Sequence, residues 1–237
     1  MEQYFSSDPS SESHQLEVKF SFGEREYTLR SDRGVFAKRR LDKGSELLLQ
    51  TIIATWSSDR TALRGIWAAQ RRHRFIIDLG CGYGPLGIVL ADHFDKLRVL
   101  MCDINSRAVD LADGNMRRVG LRYCSVVQSD GIPSETPAPA AVVTNPPIRA
   151  GKETVHRLLS EAAWALQPGG ELWLVVRRKQ GADSLKKWLV ELFMRGELPA
   201  QTLRDNELSP LLVPARVDTV ARGGGFHVIR AVRGHNL

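Results

Sequence analysis

The residues with the plainest chemical purpose are Asn145, Pro146, Pro147 and Ile148, which follow the short apolar run A-A-V-V-T. Two consecutive prolines set φ twice and remove two backbone donors. What is left to face a ligand is the Asn145 side-chain carbonyl and the proline carbonyls, all of them acceptors. An exocyclic –NH₂ needs acceptors for its two hydrogens, and holding both aims its nitrogen lone pair at an electrophile. Catalysis at such a site is mainly positioning and desolvation, with little need for a strong base. A strand stop alone would explain the prolines but not the asparagine before them.

A second constellation lies upstream, F-I-I-D-L-G-C-G-Y-G-P-L-G over residues 75–87. An apolar run, a glycine turn and then an apolar helix bring backbone N–H groups and a helix N-terminus against a ligand. The glycines allow a tight turn and close approach. Gly82, Gly84 and Gly87 match the dinucleotide fingerprint, with Asp103 about 20 residues on. Gly80, Gly82 and Gly84, with Asp78 closing the run before them, fit equally an S-adenosylmethionine (SAM) loop, where Asp78 offers a carboxylate near the cationic methionyl end. The glycines alone leave both ligands open. Asn145 favours SAM, because an amine acceptor site needs a methyl donor. Asp103 then suits the ribose hydroxyls, and Asp130 stands where the adenine amino group would be read.

These residues must be positioned by a sheet. From residue 75 onward, strands expected over 75–77, 97–102, 124–127, 140–144 and 171–176 alternate with helices over 86–91, 106–119, 153–166 and 184–194. That alternation implies parallel βαβ units, whose ligands gather at the C-terminal strand ends. Asp78, Asp103, Asp130 and Asn145 fall at four successive strand ends and describe one cleft. Two further strands, 215–222 and 225–232 around the glycines at 223–225, predict an antiparallel hairpin closing the sheet. The expected fold is α/β, a Rossmann-like seven-stranded sheet. Ahead of it, 16–29 reads as a β-hairpin turning near Gly23, and 46–56 as an apolar helix with Ser45 as its cap. A polar loop carrying Phe36 and Lys38 joins them. A basic connector spans 57–74, and 196–214 reads as a loop or insertion. The division expected is an N-terminal extension, 1–56, and a catalytic domain, 57–237.

The chain has 237 residues, enough to bury a full core. Its 43% hydrophobic and 25% charged content are those of a soluble globular protein. No apolar run approaches a membrane span, and the polar N-terminus is no secretory signal, so a cytoplasmic protein is expected. Cys81, Cys102 and Cys124 lack C-x-x-C spacing and read as buried thiols, and no metal site is expected. A net charge of +6 suits a polyanionic partner. Arg149, Lys152, Arg177, Arg178 and Lys179 flank the expected cleft and suit phosphates, though a solvated basic rim would look the same. His156 reads as a solvated or packing residue, and the tryptophans at 164, 173 and 188 read as core. Association as monomer or homodimer is not expressed in the sequence.

Four stretches carry a family resemblance: G-V-F-A-K-R-R-L-D-K-G-S (34–45), D-L-G-C-G-Y-G-P-L-G (78–87), T-N-P-P-I-R-A-G-K (144–152) and G-E-L-W-L-V-V-R-R-K-Q-G-A (170–182). Together they resemble SAM-dependent methyltransferases of the seven-stranded fold, in the amino-methylating group marked by [N/D]-P-P-[Y/F/I]. Within it the chain is similar to small relatives of the RsmC-type ribosomal RNA guanine-N2 methyltransferases. The resemblance implies methyl transfer from SAM, with S-adenosylhomocysteine as product, to the N2 amine of a guanine in small-subunit ribosomal RNA. It implies cofactor contacts from Asp78, Gly80, Cys81, Gly82, Gly84, Asp103, Ile104, Asp130, Gly131 and Asn145. It places Asn145, Pro146, Pro147 and Ile148 around the guanine amine, and Phe36, Lys38, Arg149, Lys152 and Lys179 on the substrate. Many relatives carry an aromatic where this chain has Ile148, so base stacking is expected from Phe36 or from apolar contact. Other readings are a protein-glutamine or DNA-adenine methyltransferase, a nicotinamide oxidoreductase, and a non-catalytic RNA-binding module.

Overall fold

The structure is a computed structural model that describes residues 13–32, 35, 40–58, 74–195 and 216–234. Phe36 and Lys38, the connector residues 59–73 and the 196–214 segment lie outside the described residues.

The N-terminal hairpin pairs β1 (Gln15–Phe22) with β2 (Arg25–Asp32), Phe22 opposite Arg25. Its two-residue turn begins at Gly23, whose φ of +59° is the left-handed geometry that short hairpin turns demand. Helix α1 (Lys43–Ser58) starts three residues earlier than the apolar run suggests, and its cap is Asp42 rather than Ser45. Asp42 Oδ1 accepts from the Gly44 and Ser45 N–H groups at 3.0 and 3.1 Å, satisfying donors that the first helical turn leaves unpaired. Leu48, Leu49, Ile52 and Trp56 form its buried stripe.

The main sheet has the order β5-β4-β3-β6-β7-β9-β8, with β3 (Arg74–Leu79), β4 (Leu97–Asp103), β5 (Cys124–Gln128), β6 (Ala141–Thr144) and β7 (Glu171–Arg177) parallel. The strands β8 (Arg216–Gly223) and β9 (Phe226–Val232) form the expected antiparallel hairpin, with β9 against β7. Helices α2 (Pro85–His93), α3 (Ser106–Val119), α4 (Lys152–Ala165) and α5 (Ala182–Arg195) connect the strands. Successive residues of β3 feed opposite cores. Ile76 packs with α1, α2 and the hairpin, Ile77 with α4 and α5, and both are at most 1% exposed. Burial on both faces is why these strands read as continuous apolar runs.

The chain runs β3, β4, β5 outward and then returns to β6 on the other side of β3. The carboxyl ends of β3 and β6 therefore flank the point where strand order reverses, which is where open α/β sheets hold ligands. At the opposite end, buried Glu171 ties α1 to the sheet: Oε2 accepts from Trp56 Nε1 (2.9 Å) and Trp173 Nε1 (2.7 Å), and Oε1 from Arg230. Trp173 is core, as expected, and His156 stacks on Trp188 at 3.7 Å between ring centroids.

Candidate active site

A cleft of about 1290 Å³ opens at the carboxyl ends of β3 to β6, above the roughly 300–1,000 Å³ usual for one small-molecule pocket. Gly80, Cys81, Gly82, Asp103, Ile104, Asp130, Gly131, Asn145, Pro146, Pro147, Ile148, Arg149 and Lys179 all line it. Asp78, Gly84 and Lys152 do not.

Asp78 is the main departure. Strand β3 continues through Leu79, so Asp78 lies inside the strand rather than at its end. Its carboxylate is fully buried under the glycine loop, where Oδ2 accepts from Gly87 N–H at 2.8 Å and Oδ1 has no partner among the described residues. Burial pushes this carboxyl up to about 7; the Gly87 bond opposes the shift and the Asp103 charge adds to it. Gly84, at φ +88°, packs on Ile88, Ala112 and Met101 instead of opening to the cleft. Lys152 is exposed at the start of α4.

Asp103 ties the loop to β4. Its Oδ2 accepts from Gly82 N–H (2.8 Å) and its Oδ1 from Asn105 N–H (3.0 Å), while Asn105 caps α3 through Arg107 and Ala108 N–H. Burial raises the Asp103 carboxyl and these N–H bonds oppose it. A carboxylate oxygen accepts more than one hydrogen bond, so the pair retains capacity for a diol. Asp130 is exposed and clamped at 2.5 Å by Arg157, which also holds Glu161 at 2.8 Å. Gly131 sits at φ +92°, a conformation that L side chains rarely adopt, and a Cβ there would displace Glu161 Oε2, 2.0 Å away.

At the end of β6, Asn145 Nδ2 donates to Ser45 Oγ (3.1 Å) and sits 3.4 Å from Asp42 Oδ1. Its Oδ1 has no partner among the described residues. The proline carbonyls are less free than the sequence suggests. Pro146 C=O accepts from Ile148 N–H and Pro147 C=O from Ala150 N–H, both at 2.8 Å. Pro147, at φ −75° and ψ 73°, is the centre of an inverse γ-turn opening a 3₁₀ turn over Ile148–Ala150. Ile148 lines the cleft and packs partly into the α4–α5 core.

Sequence reasoning missed Asp42 and Ser45 as partners of Asn145, although both lie in the D-K-G-S stretch. It also missed Arg157 and Phe226. Phe226 lines the cleft, 8% exposed, with the Arg177 guanidinium over its ring at 4.7 Å. Only the i,i+4 spacing of Arg157 and Glu161 hinted at the former.

The residues fit SAM. A Cβ on Gly80 would meet nothing within 4 Å, so the loop is open to a ligand there, and the half-buried Asp103 carboxylate lines the cleft with acceptor capacity for the ribose diol. Among the described residues no three His, Cys, Asp or Glu side chains are placed to hold a metal ion, and no helix is long and apolar enough to cross a membrane. The cysteines are free thiols, two of them buried.

A parallel sheet closed by an antiparallel hairpin, with a glycine loop after β3, an acid ending β4 and Asn-Pro-Pro ending β6, defines a SAM-dependent methyltransferase. Residues 26–204 match the family model of the methyltransferase small domain. The chain is 38% identical to the uncharacterized protein YbxB of Bacillus subtilis (strain 168), over 81% of this chain and 89% of that one. It is 35% identical to ribosomal RNA small subunit methyltransferase C of Pseudomonas aeruginosa (strain UCBPP-PA14), over 84% of this chain and 49% of that protein. In fold it resembles T. thermophilus RsmC, a 16S rRNA N2 methyltransferase in complex with AdoMet and guanosine. The TM-score is 0.69 at 20% identity, covering 95% of this chain and 52% of that one. The chain belongs to the methyltransferase small domain family. It spans about half the length of the ribosomal RNA methyltransferases it matches.

Proposed function

We propose that this methyltransferase transfers the SAM methyl group to the exocyclic N2 amine of a guanine in small-subunit ribosomal RNA. The observation that carries the reading is the Asn145 carboxamide, whose Nδ2 is turned to protein acceptors while Oδ1 is left for a hydrogen-bond donor. The relatives named as ribosomal RNA methyltransferases support the substrate class, as does a basic cleft lining of Arg40, Lys43, Arg149, Arg177 and Lys179. The extension 1–56 would serve the substrate side and 57–237 the cofactor.

SAM, when bound, supplies an electrophilic methyl on a sulfonium. Asn145 Oδ1 accepts one amine hydrogen. The Pro146 carbonyl, with one lone pair on Ile148 N–H, offers the other to the second hydrogen. With SAM held there, the amine lone pair so oriented would face its methyl group, and the surplus proton would leave the nitrogen for solvent. Gly82 and Asn105 N–H hold Asp103 in place for the ribose hydroxyls. Ile148 gives apolar contact to the base.

The test is incubation with methyl-labelled SAM and small ribosomal subunits lacking the modification, followed by nucleoside analysis. Labelled N2-methylguanosine is expected, and Asn145→Ala is expected to lose on the order of 100-fold or more in rate. Label recovered in adenine or in protein would overturn the substrate.

A further inference from the structure

We propose that Asp42 and Ser45 are positioning residues that lock the Asn145 carboxamide in one of its two orientations, so that the site accepts hydrogens from its substrate and does not donate them. This inference rests on the reading of Asn145 above and extends it to residues about 100 positions away in the chain.

An asparagine amide presents a donor on one side and an acceptor on the other, and a half-turn exchanges them. Here Nδ2 lies 3.1 Å from Ser45 Oγ and 3.4 Å from Asp42 Oδ1. An ionised carboxylate only accepts. A half-turn of Asn145 would therefore bring oxygen against oxygen at Asp42 and leave Nδ2, a donor, facing the cleft.

Asp42 is itself held. The same Oδ1 accepts from Gly44 and Ser45 N–H at 3.0 and 3.1 Å, and its backbone C=O accepts from Glu46 N–H at 2.9 Å. Ser45 is 3% exposed, and its hydroxyl, able to donate or accept, anchors the amide against water, while Asp42 sets which way round it sits. The first turn of α1 is pressed against β9: a Cβ on Gly44 would sit 2.8 Å from Phe226 Cε1. Three segments, 42–45, 145 and 226, thus meet at one point, and the lock requires α1 to dock as it does. Its consequence is chemical selection. A locked acceptor favours an –NH₂ group and repels an unprotonated ring nitrogen or a carbonyl oxygen presented in its place.

The lock is tested with the full chain, using methyl-labelled SAM and unmodified small ribosomal subunits. Ser45→Ala removes one acceptor and puts a good helix former at that position. It is expected to lower kcat by roughly tenfold to a hundredfold, with KM for subunits and calorimetric SAM affinity held. Ser45→Ala added to Asn145→Ala is expected to cost nothing more, because residues acting as a unit are not additive. Asn145→Asp sets two carboxylates side by side and is expected to be nearly inactive. Asp42→Asn in that background is expected to restore at least about tenfold, yet Asp42→Asn alone should not exceed the wild-type rate. A structural role for Asp42 would not yield that rescue. Wild-type rates in Ser45→Ala, additive losses, or no rescue would overturn the lock. A readout independent of substrate keeps the two ideas apart. In ¹⁵N-asparagine-labelled protein the Asn145 Nδ2 signals should move in Ser45→Ala. If they move while wild type labels no RNA, the RNA reading fails and the lock stands; if they stay, the lock fails whatever the substrate.

Discussion

Asp78 shows how one buried carboxyl couples the cofactor loop to solvent conditions. Its pKa is raised from an ordinary carboxylate value to about 7 by burial, so the native state holds a proton that the unfolded chain has already released. Between about pH 4 and pH 7, unfolding releases that proton, so stability falls as pH rises through the window and is level above it. Asp78→Asn can still accept from Gly87 N–H but does not titrate. From pH 5 to pH 7.5, cofactor-free wild type is expected to lose about 2–3 kcal/mol more than Asp78→Asn, measured by urea denaturation. Saturating SAM, a cation, should shrink that difference by favouring the ionised carboxylate. Equal pH slopes in the two proteins would show that Asp78 is ionised in the native state throughout.

At the scale of the element, the glycine loop and α2 divide their glycines between ligand and packing. A Cβ on Gly87 would lie 2.7 Å from Met101 Cγ, 2.8 Å from its Sδ and 3.1 Å from Asp78 Oδ2. Neither Cγ nor the buried carboxylate is free to swing away, so Gly87→Ala overpacks the start of α2 and is expected to destabilise by about 1–3 kcal/mol. Gly80 is the opposite case, with φ +69° and open space where its Cβ would stand. Gly80→Ala pays only backbone strain of about 1–2 kcal/mol, and its larger effect should be on SAM affinity, because the new methyl projects into the cleft. Calorimetric titration beside denaturation separates the two. The motif G-x-G-x-G-x-x-G is legible in the sequence, but which glycine faces ligand and which faces Met101 is not, since that depends on how α2 crosses β4.

At the scale of the molecule, the N-terminal hairpin and α1 share one core with the sheet. Asn115 of α3, 1% exposed, accepts from Arg30 N–H (2.7 Å) and donates to Arg30 C=O (2.7 Å) and Tyr83 C=O (2.9 Å). It pairs with β2 as another strand would, and the Arg107–Asp32 ion pair at 3.3 Å reinforces the contact. Asn115→Ala would remove the partner of the part-buried Arg30 N–H and C=O and of the buried Tyr83 C=O, and is expected to cost about 1–3 kcal/mol. Hydrogen exchange should rise in β1 and β2 while β3 and β6 keep their protection. Uniform loss of protection would instead mean that hairpin and sheet open as one unit.

The seven strands, the hairpins at either end and the Asn-Pro-Pro terminus of β6 were legible in the chain. They rest on local rules: apolar runs for doubly covered strands, glycines where φ turns positive, prolines where donors vanish. The side to which each polar group points was not local. Because Ile76 and Ile77 are both core, no alternation in β3 marks the phase of the strand. The sequence therefore did not tell that Asp78 lies beneath the loop while Asp103 faces the cleft. Likewise Asn145 announced an amide acceptor, but its orientation is set by Asp42, with Ser45 beside it, and only the docking of α1 over β7 and β9 brings them within 3.4 Å.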